Sequence, residues 1–128
     1  MIKRFILPFF IFLSINSYAQ QSTKLENVRE HVGDSVKLRA LIYGGKYLQN
    51  VKGSPTFLNV GGQYPNELLT LVIWNNTRSE FKQAPEDIYN HKMAWITGKV
   101  ILYKDRPEIV ISNPDQIEEV IEAAAQKQ

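Results

Sequence analysis

The sequence predicts a mainly β protein: a five-stranded Greek-key barrel with a short helix between the third and fourth strands and short helices at both ends. Three observations carry this. Apolar alternation of period two recurs in short segments. Gly, Pro, Asn and Ser clusters separate those segments. One internal gap, after the third apolar segment, carries the signature of a helix start.

The barrel does not begin at the first residue. Met1-Ile2-Lys3-Arg4 opens the chain with a basic pair, and Phe5 to Leu13 is an apolar run interrupted only by Pro8. Polar residues follow, and Ser17-Tyr18-Ala19 places small residues where a signal peptidase needs them. The run is too short to cross a bilayer, which takes about 20 residues. Residues 1–19 therefore read as a secretory signal peptide, and 20–128 as one domain, with the barrel over about 34–113. After cleavage the protein is expected to be periplasmic or secreted, with no membrane anchor.

In the first part of the domain, residues 22–33 read as a short helix. Ser22 and Thr23 stand at its start, Leu25, Val28 and Val32 at helical spacing, and Gly33 at its end. Val36 to Tyr43 alternates as a half-buried strand, with Val36, Leu38, Ala40 and Ile42 inward and Lys37, Arg39, Leu41 and Tyr43 outward. Gly44-Gly45 is expected to end it. Thr56 to Val60 is the second strand, stopped by Gly61-Gly62. Leu68 to Trp74, apolar and rich in branched side chains, is the third and largely buried one.

Asn75-Asn76-Thr77 then signals a helix, with Thr77 and Glu80 at capping-box spacing. Ala84-Pro85 divides it into turns at about 77–82 and 85–90. Met93 to Tyr103 is the longest strand, and Gly98 within it marks a bulge or bend. Lys104-Asp105-Arg106-Pro107 is a tight turn, with Glu108 to Ser112 returning as the fifth strand. Asn113-Pro114-Asp115 caps a predicted last helix over about 114–125, with Ile117, Val120, Ile121 and Ala124 as its apolar stripe. No internal repeat or low-complexity linker interrupts the series.

Five strands with a helix between the third and fourth is the element order of the OB-fold. At this point the sequence resembles small bacterial OB-fold domains of the nucleic-acid-binding type. The matching residues are His31-Val32-Gly33-Asp34-Ser35-Val36, Gly53 to Gly61, Leu71-Val72-Ile73-Trp74, Thr97-Gly98-Lys99-Val100, Tyr103-Lys104, Pro107 to Ile111 and Asn113-Pro114-Asp115-Gln116-Ile117. The resemblance covers about 31–117 and implies a domain that binds nucleic acid. It departs from the pattern at Asp105, where many such domains carry Gly after the Lys of the last turn.

Charge narrows the choice of partner. The whole chain carries a formal +2 and a pI near 8.8, but Lys3 and Arg4 leave with the signal peptide. From Gln20 onward 13 basic residues face 13 acidic ones, so no broad basic field covers the domain. The chain has no Cys, which excludes disulfides, thiolate metal sites and Cys nucleophiles. His31 and His91 stand apart from any metal-ligand spacing. No nucleophile elbow or phosphate loop occurs, and the carboxylate cluster of a metal-dependent nuclease is missing. No catalytic residue, metal site or cofactor is predicted.

Binding chemistry is the better match. OB-folds hold single strands on aromatic platforms beside a groove of Lys and Arg, with the first-to-second and fourth-to-fifth strand loops flanking the second and third strands. The first of those loops carries Lys46, Tyr47 and Lys52, the second Lys104 and Arg106, and both are expected to converge on one face. Arg39, Tyr43, Asn59, Trp74, Lys99 and Tyr103 complete the candidate set. Phe57 lies around the presumed face and is read as core in preference to platform, and Trp74 and Trp95 as either platforms or packing groups. The expected partner is single-stranded nucleic acid, DNA or RNA, held weakly and with strong salt sensitivity. The alternative is an envelope module that binds a protein or an oligosaccharide, which the neutral charge and the predicted export both favour.

Overall fold

The computed structural model describes Lys3 and residues 22–121, so the predicted signal peptide lies outside the described residues. β1 (Ser35–Tyr47), β2 (Thr56–Val60), β3 (Leu69–Ile73), β4 (Lys92–Tyr103) and β5 (Arg106–Val110) form a closed barrel in the order β1-β2-β3-β5-β4, with β4 returning to pair with β1. All pairings in the ring are antiparallel except β3 with β5. This is the OB-fold that the element order predicts. α1 (Asn75–Arg78) and α2 (Pro85–Ile88) fill the β3–β4 connection.

Alternation produces the core. Leu38 and Ile42 of β1, Leu58 and Val60 of β2, Leu69, Leu71 and Ile73 of β3, Ile96 and Val100 of β4, and Ile109 of β5 are fully buried. Val28 joins them from a 3-10 helix at Leu25–His31, while Phe81 and Tyr89 pack on the same core from the β3–β4 connection, edge to face at 6.3 Å. Burying each such aliphatic side chain is worth about 1.5–3 kcal/mol, so continuous inward faces are what hold the closed shape.

Four local expectations need correction. Gly44-Gly45 does not end the first strand: β1 continues through both to Tyr47. The register slips between Ile42 and Gly44, so Tyr43 is an extra residue and the side chains after it change face. Gly44 has a φ of 134°, and a Cβ on Gly45 would collide with the Phe57 carbonyl oxygen and the Leu58 side chain. Glycine permits both the bulge and this close strand contact.

The N-terminal helix is shorter than predicted and of the 3-10 type. Ser22 and Thr23 do not cap it; Ser22 bridges Lys37 in parallel, and the Thr23 amide donates to the Lys37 carbonyl at 2.8 Å. The helix after β3 begins earlier, at Asn75, with Trp74 as N-cap and no side-chain cap, so Thr77 and Glu80 do not form a capping box there.

The last helix is absent over the described residues. Asn113 and Gln116 do form a reciprocal capping box, but it opens only a single 3-10 turn, Pro114–Gln116. Ile117–Glu119 then forms β6 on β4, opposite Ala94 to Ile96. The Gln116 side-chain amide donates to the Thr97 carbonyl at 2.9 Å and draws the chain onto β4. Pairing with an available strand edge, with Ile117 buried, outweighs the local helix signal. The predicted residues 122–125 of that helix lie outside the described residues.

Gly45→Ala should destabilise the barrel by about 1–3 kcal/mol, since β2 backbone must move to admit the methyl group. Urea denaturation checks this, and an unchanged midpoint would mean that the β1–β2 contact yields freely.

Candidate functional site

The outer face of β2, β3 and β5 is laid out by strand register. One row runs from Lys46 to Phe57, Val72 and Val110; the next runs from Gly44 to Asn59, Thr70, Glu108 and Ile101. The bulge at Tyr43 is what places Lys46 on this face, beside Phe57. By the same register the β1–β2 loop stands at the Thr56–Ile73 end of the face and the β4–β5 turn at the Val60–Leu69 end. The two loops therefore bracket the face from its two ends rather than converging on one spot.

At the β4–β5 end lies a cleft of about 200 Å³. Phe57, Asn59 and Thr70 line it from the sheet, Tyr64 and Glu67 from the β2–β3 loop, and Tyr103, Lys104, Arg106 and Glu108 from the β4–β5 hairpin. Tyr64 is 73% exposed and Tyr103 57%, so two tyrosines offer open ring surface. Lys104 and Asp105 have φ of 49° and 63°, the two left-handed residues of a type I′ hairpin turn. The Lys104 ammonium lies 5.4 Å from the Tyr103 ring centre. Asp105, the departure from the resemblance, is partnered by Arg29, which donates to its carbonyl at 2.6 Å and approaches its exposed carboxylate at 3.6 Å.

The charges in the cleft nearly balance. Arg106 is committed inward, donating to Glu67 Oε1 at 3.0 Å and to the Pro65 carbonyl at 2.8 Å. Glu108 is half-buried on the sheet, and burial pushes its carboxyl above the usual carboxylate range. Lys104 is thus the most available cation in the cleft, and Lys46 stands beside Phe57 towards the other end of the face.

The other sequence-predicted residues lie elsewhere. Arg39 and Tyr43 are on the β1–β4 wall, in a separate groove of about 830 Å³ with Trp95 and the segment Ser22 to Asn27. Lys37 covers the Trp95 ring there at 5.1 Å. Lys99 sits opposite Ser35 on β4 and lines neither cavity. Lys52 is exposed in the β1–β2 loop. Trp74 is 43% exposed, and Gly53 packs against its ring while the Asn75 amide donates to the Gly53 carbonyl.

Tyr47 is held by a structural network. The Arg78 guanidinium stacks 3.7 Å from its ring centre, and its hydroxyl donates to Asn75 Oδ1 at 3.3 Å. Arg78 also donates twice to Glu86, at 2.6 and 2.9 Å, and once to Thr56 Oγ1 at 2.6 Å. The hydrogen bonds from Arg78 hold the Glu86 carboxyl below its ordinary range.

Of the eleven predicted residues, Asn59, Tyr103, Lys104 and Arg106 share the cleft, and Lys46 adjoins it. Phe57, Tyr64, Glu67, Thr70 and Glu108 were not in that set. Phe57, expected in the core, is only partly buried and lines the cleft, because it shares the outward parity of Asn59 on β2. Tyr64 and Glu67 sit in an aperiodic loop that gives no such signal. Among the described residues no group of three or more His, Asp or Glu is placed to hold a metal ion, and no helix is long and apolar enough to cross a membrane.

Solved structures share the fold. A protein described as an aspartyl-tRNA synthetase from Leishmania major Friedlin matches with a TM-score of 0.50 and 11% identity, over 88% of this chain and 23% of the other. The aspartyl-tRNA synthetase from Entamoeba histolytica matches with a TM-score of 0.55 and 15% identity, over 91% of this chain and 24% of that enzyme. The chain thus spans about a quarter of the length of each. At these identities the likeness establishes the fold. No protein-family model and no curated relative matches the sequence.

Two carboxylates give opposite pH signatures. Glu86, lowered in the folded state, stabilises above its unfolded pKa of about 4.3, and that contribution is lost as pH falls through the lower folded value. Arg78→Met should therefore cost about 1.5–3 kcal/mol at pH 7, with the difference shrinking towards pH 3. Glu108, raised in the folded state, favours folding below about pH 4.3 and opposes it as pH rises through the folded value. Glu108→Gln should raise the thermal midpoint at pH 7 and leave it unchanged at pH 4. A thermal-denaturation series across pH measures both.

Proposed function

We propose that this chain is an exported, non-catalytic OB-fold module that binds single-stranded nucleic acid through the cleft at the β4–β5 end of the barrel. The observation that carries the reading is the gathering of Phe57, Tyr64 and Tyr103 around Asn59 with Lys104 at the margin. Flat rings beside hydrogen-bonding groups and a flexible cation suit an unstacked base and its phosphate. The structures that share the fold support it further, since both are described as enzymes acting with a tRNA. Export is inferred from residues 1–19, whose basic start, short apolar run and small residues before the cleavage point fit a signal peptide.

Bases stack on the tyrosines and Phe57, Asn59 hydrogen-bonds a base edge, and Lys104 and Lys46 take the backbone charge. Arg106 orders the cleft instead of meeting phosphate, because both its guanidinium arms are already engaged. With few free cations and two carboxylates nearby, affinity is modest and sensitive to salt.

That same charge balance favours a second reading. Glu67 and Glu108 offset Arg106 and Lys104, and a neutral aromatic cleft also suits an oligosaccharide or a segment of a partner protein in the cell envelope. The sequence alternation between DNA, RNA and these ligands is decided by titration.

Fluorescence anisotropy with labelled single-stranded DNA and RNA should detect binding at low salt that weakens steeply as salt rises. Phe57→Ala and Tyr103→Ala should each cost about 1–3 kcal/mol of binding, Lys104→Gln should lower the salt slope by about one, and Arg39→Ala should leave both unchanged. Binding that ignores salt, or none at low salt, would favour the envelope ligand.

A further inference from the structure

Glu108 is a carboxylate without a partner. It stands in the outward row Asn59, Thr70, Glu108 that crosses β2, β3 and β5, and it lines the cleft with Phe57, Tyr64 and Tyr103. It makes no hydrogen bond or ion pair with the described residues, although Lys104 and Arg106 line the same cleft. Its side chain is half-buried, yet neither oxygen is sealed from solvent. Both oxygens are therefore open to a group that enters the cleft. Burial without a donor holds the carboxyl above its usual range and makes the ionised form oppose folding at neutral pH. A charge with that effect belongs where a ligand supplies the missing donors.

We propose that the Glu108 carboxylate accepts the N1–H and N2–H donors of guanine, so that the cleft selects guanine among the bases. The inference rests on the nucleic-acid reading of the same cleft. An ionised carboxylate accepts and never donates, and its two oxygens lie side by side. Bases splayed from single strands are read along their Watson–Crick edges. Guanine alone among the four carries two adjacent donors there, the ring N1–H and the N2 amino group, which meet the two oxygens as a parallel pair. Cytosine and adenine offer one amino group beside a ring-nitrogen lone pair, which repels the second oxygen. Uracil and thymine offer a single N3–H flanked by two carbonyls. Because both Glu108 oxygens are open, the base that fills both is preferred to those that fill one. Asn59 and Thr70, next in the row, carry both donors and acceptors, so they can serve the guanine O6 without excluding other bases.

The test uses short oligo(dT) strands of equal length whose central residue is dG, deoxyinosine, dA or dC, titrated by anisotropy at low salt and pH 7.5. Deoxyinosine keeps N1–H and O6 and lacks only the N2 amino group. The dG strand should bind about tenfold more tightly than the deoxyinosine strand, and more tightly than those with dA or dC. In Glu108→Gln the amide can still pair with N1–H and O6, which deoxyinosine shares, so the advantage of dG over deoxyinosine should vanish. That variant loses a half-buried charge and is expected to fold, which circular dichroism checks; the comparison of dG with deoxyinosine in the unaltered protein does not depend on it. Strands that bind with dG no tighter than deoxyinosine, or an advantage that survives Glu108→Gln, overturn the assignment to Glu108 and leave the nucleic-acid reading standing. No binding to any of the strands overturns both.

Discussion

Everything in this barrel depends on one strand serving two partners. The first half of β1 pairs with β4 and the second half with β2. Strand twist makes a continuous, regular strand a poor solution to that demand. The extra residue at Tyr43 and the two glycines after it bend the strand where the partner changes, which lets five short strands close on a core of branched aliphatics. The same irregularity turns Lys46 outward beside Phe57 and brings Tyr47 against Arg78. Closure of the barrel and composition of its ligand face are thus consequences of a single local defect.

The loops beyond the sheet are then secured by arginines. Arg78 ties the β3–β4 connection to Thr56 and Glu86, Arg106 ties the β4–β5 hairpin to the β2–β3 loop, and Arg29 ties the N-terminal 3-10 helix to Asp105. Each guanidinium reaches a backbone carbonyl, a hydroxyl or a carboxylate at a fixed angle, which a lysine does with less geometric control. The result spends cations on architecture, so that a chain with an ordinary number of basic residues presents few of them to a ligand.

How much of this was legible in the sequence follows from the range of the forces involved. Strand signals are local, period-two alternation in β1 and an unbroken apolar run in β3 among them, and they located all five barrel strands; β2 matched residue for residue. Helix signals are also local but weaker than strand pairing. Asn113 and Gln116 carry a valid capping box, yet Ile117 joins β4 because an unpaired edge was within reach. The candidate site was harder still, since alternation tells inside from outside but not which side of a barrel a residue faces. Arg39 and Tyr43 are outward as expected, but on the β1–β4 wall. Glu67 gave no signal at all, because its burial depends on Arg106, 39 residues away.

β6 has a bearing on the behaviour of the molecule in company. Among the described residues the sheet ends at this strand, which is three residues long and carries Glu118 and Glu119, both exposed. An open strand edge invites another chain to add itself, and short length and like charge are two ways in which proteins discourage this. Glu119 is partnered by Lys92 at 3.8 Å, so two copies meeting there would bring the two Glu118 carboxylates together along a register of only three residues. The late turn away from helix therefore gives the barrel a border that resists polymerisation into a continuous sheet.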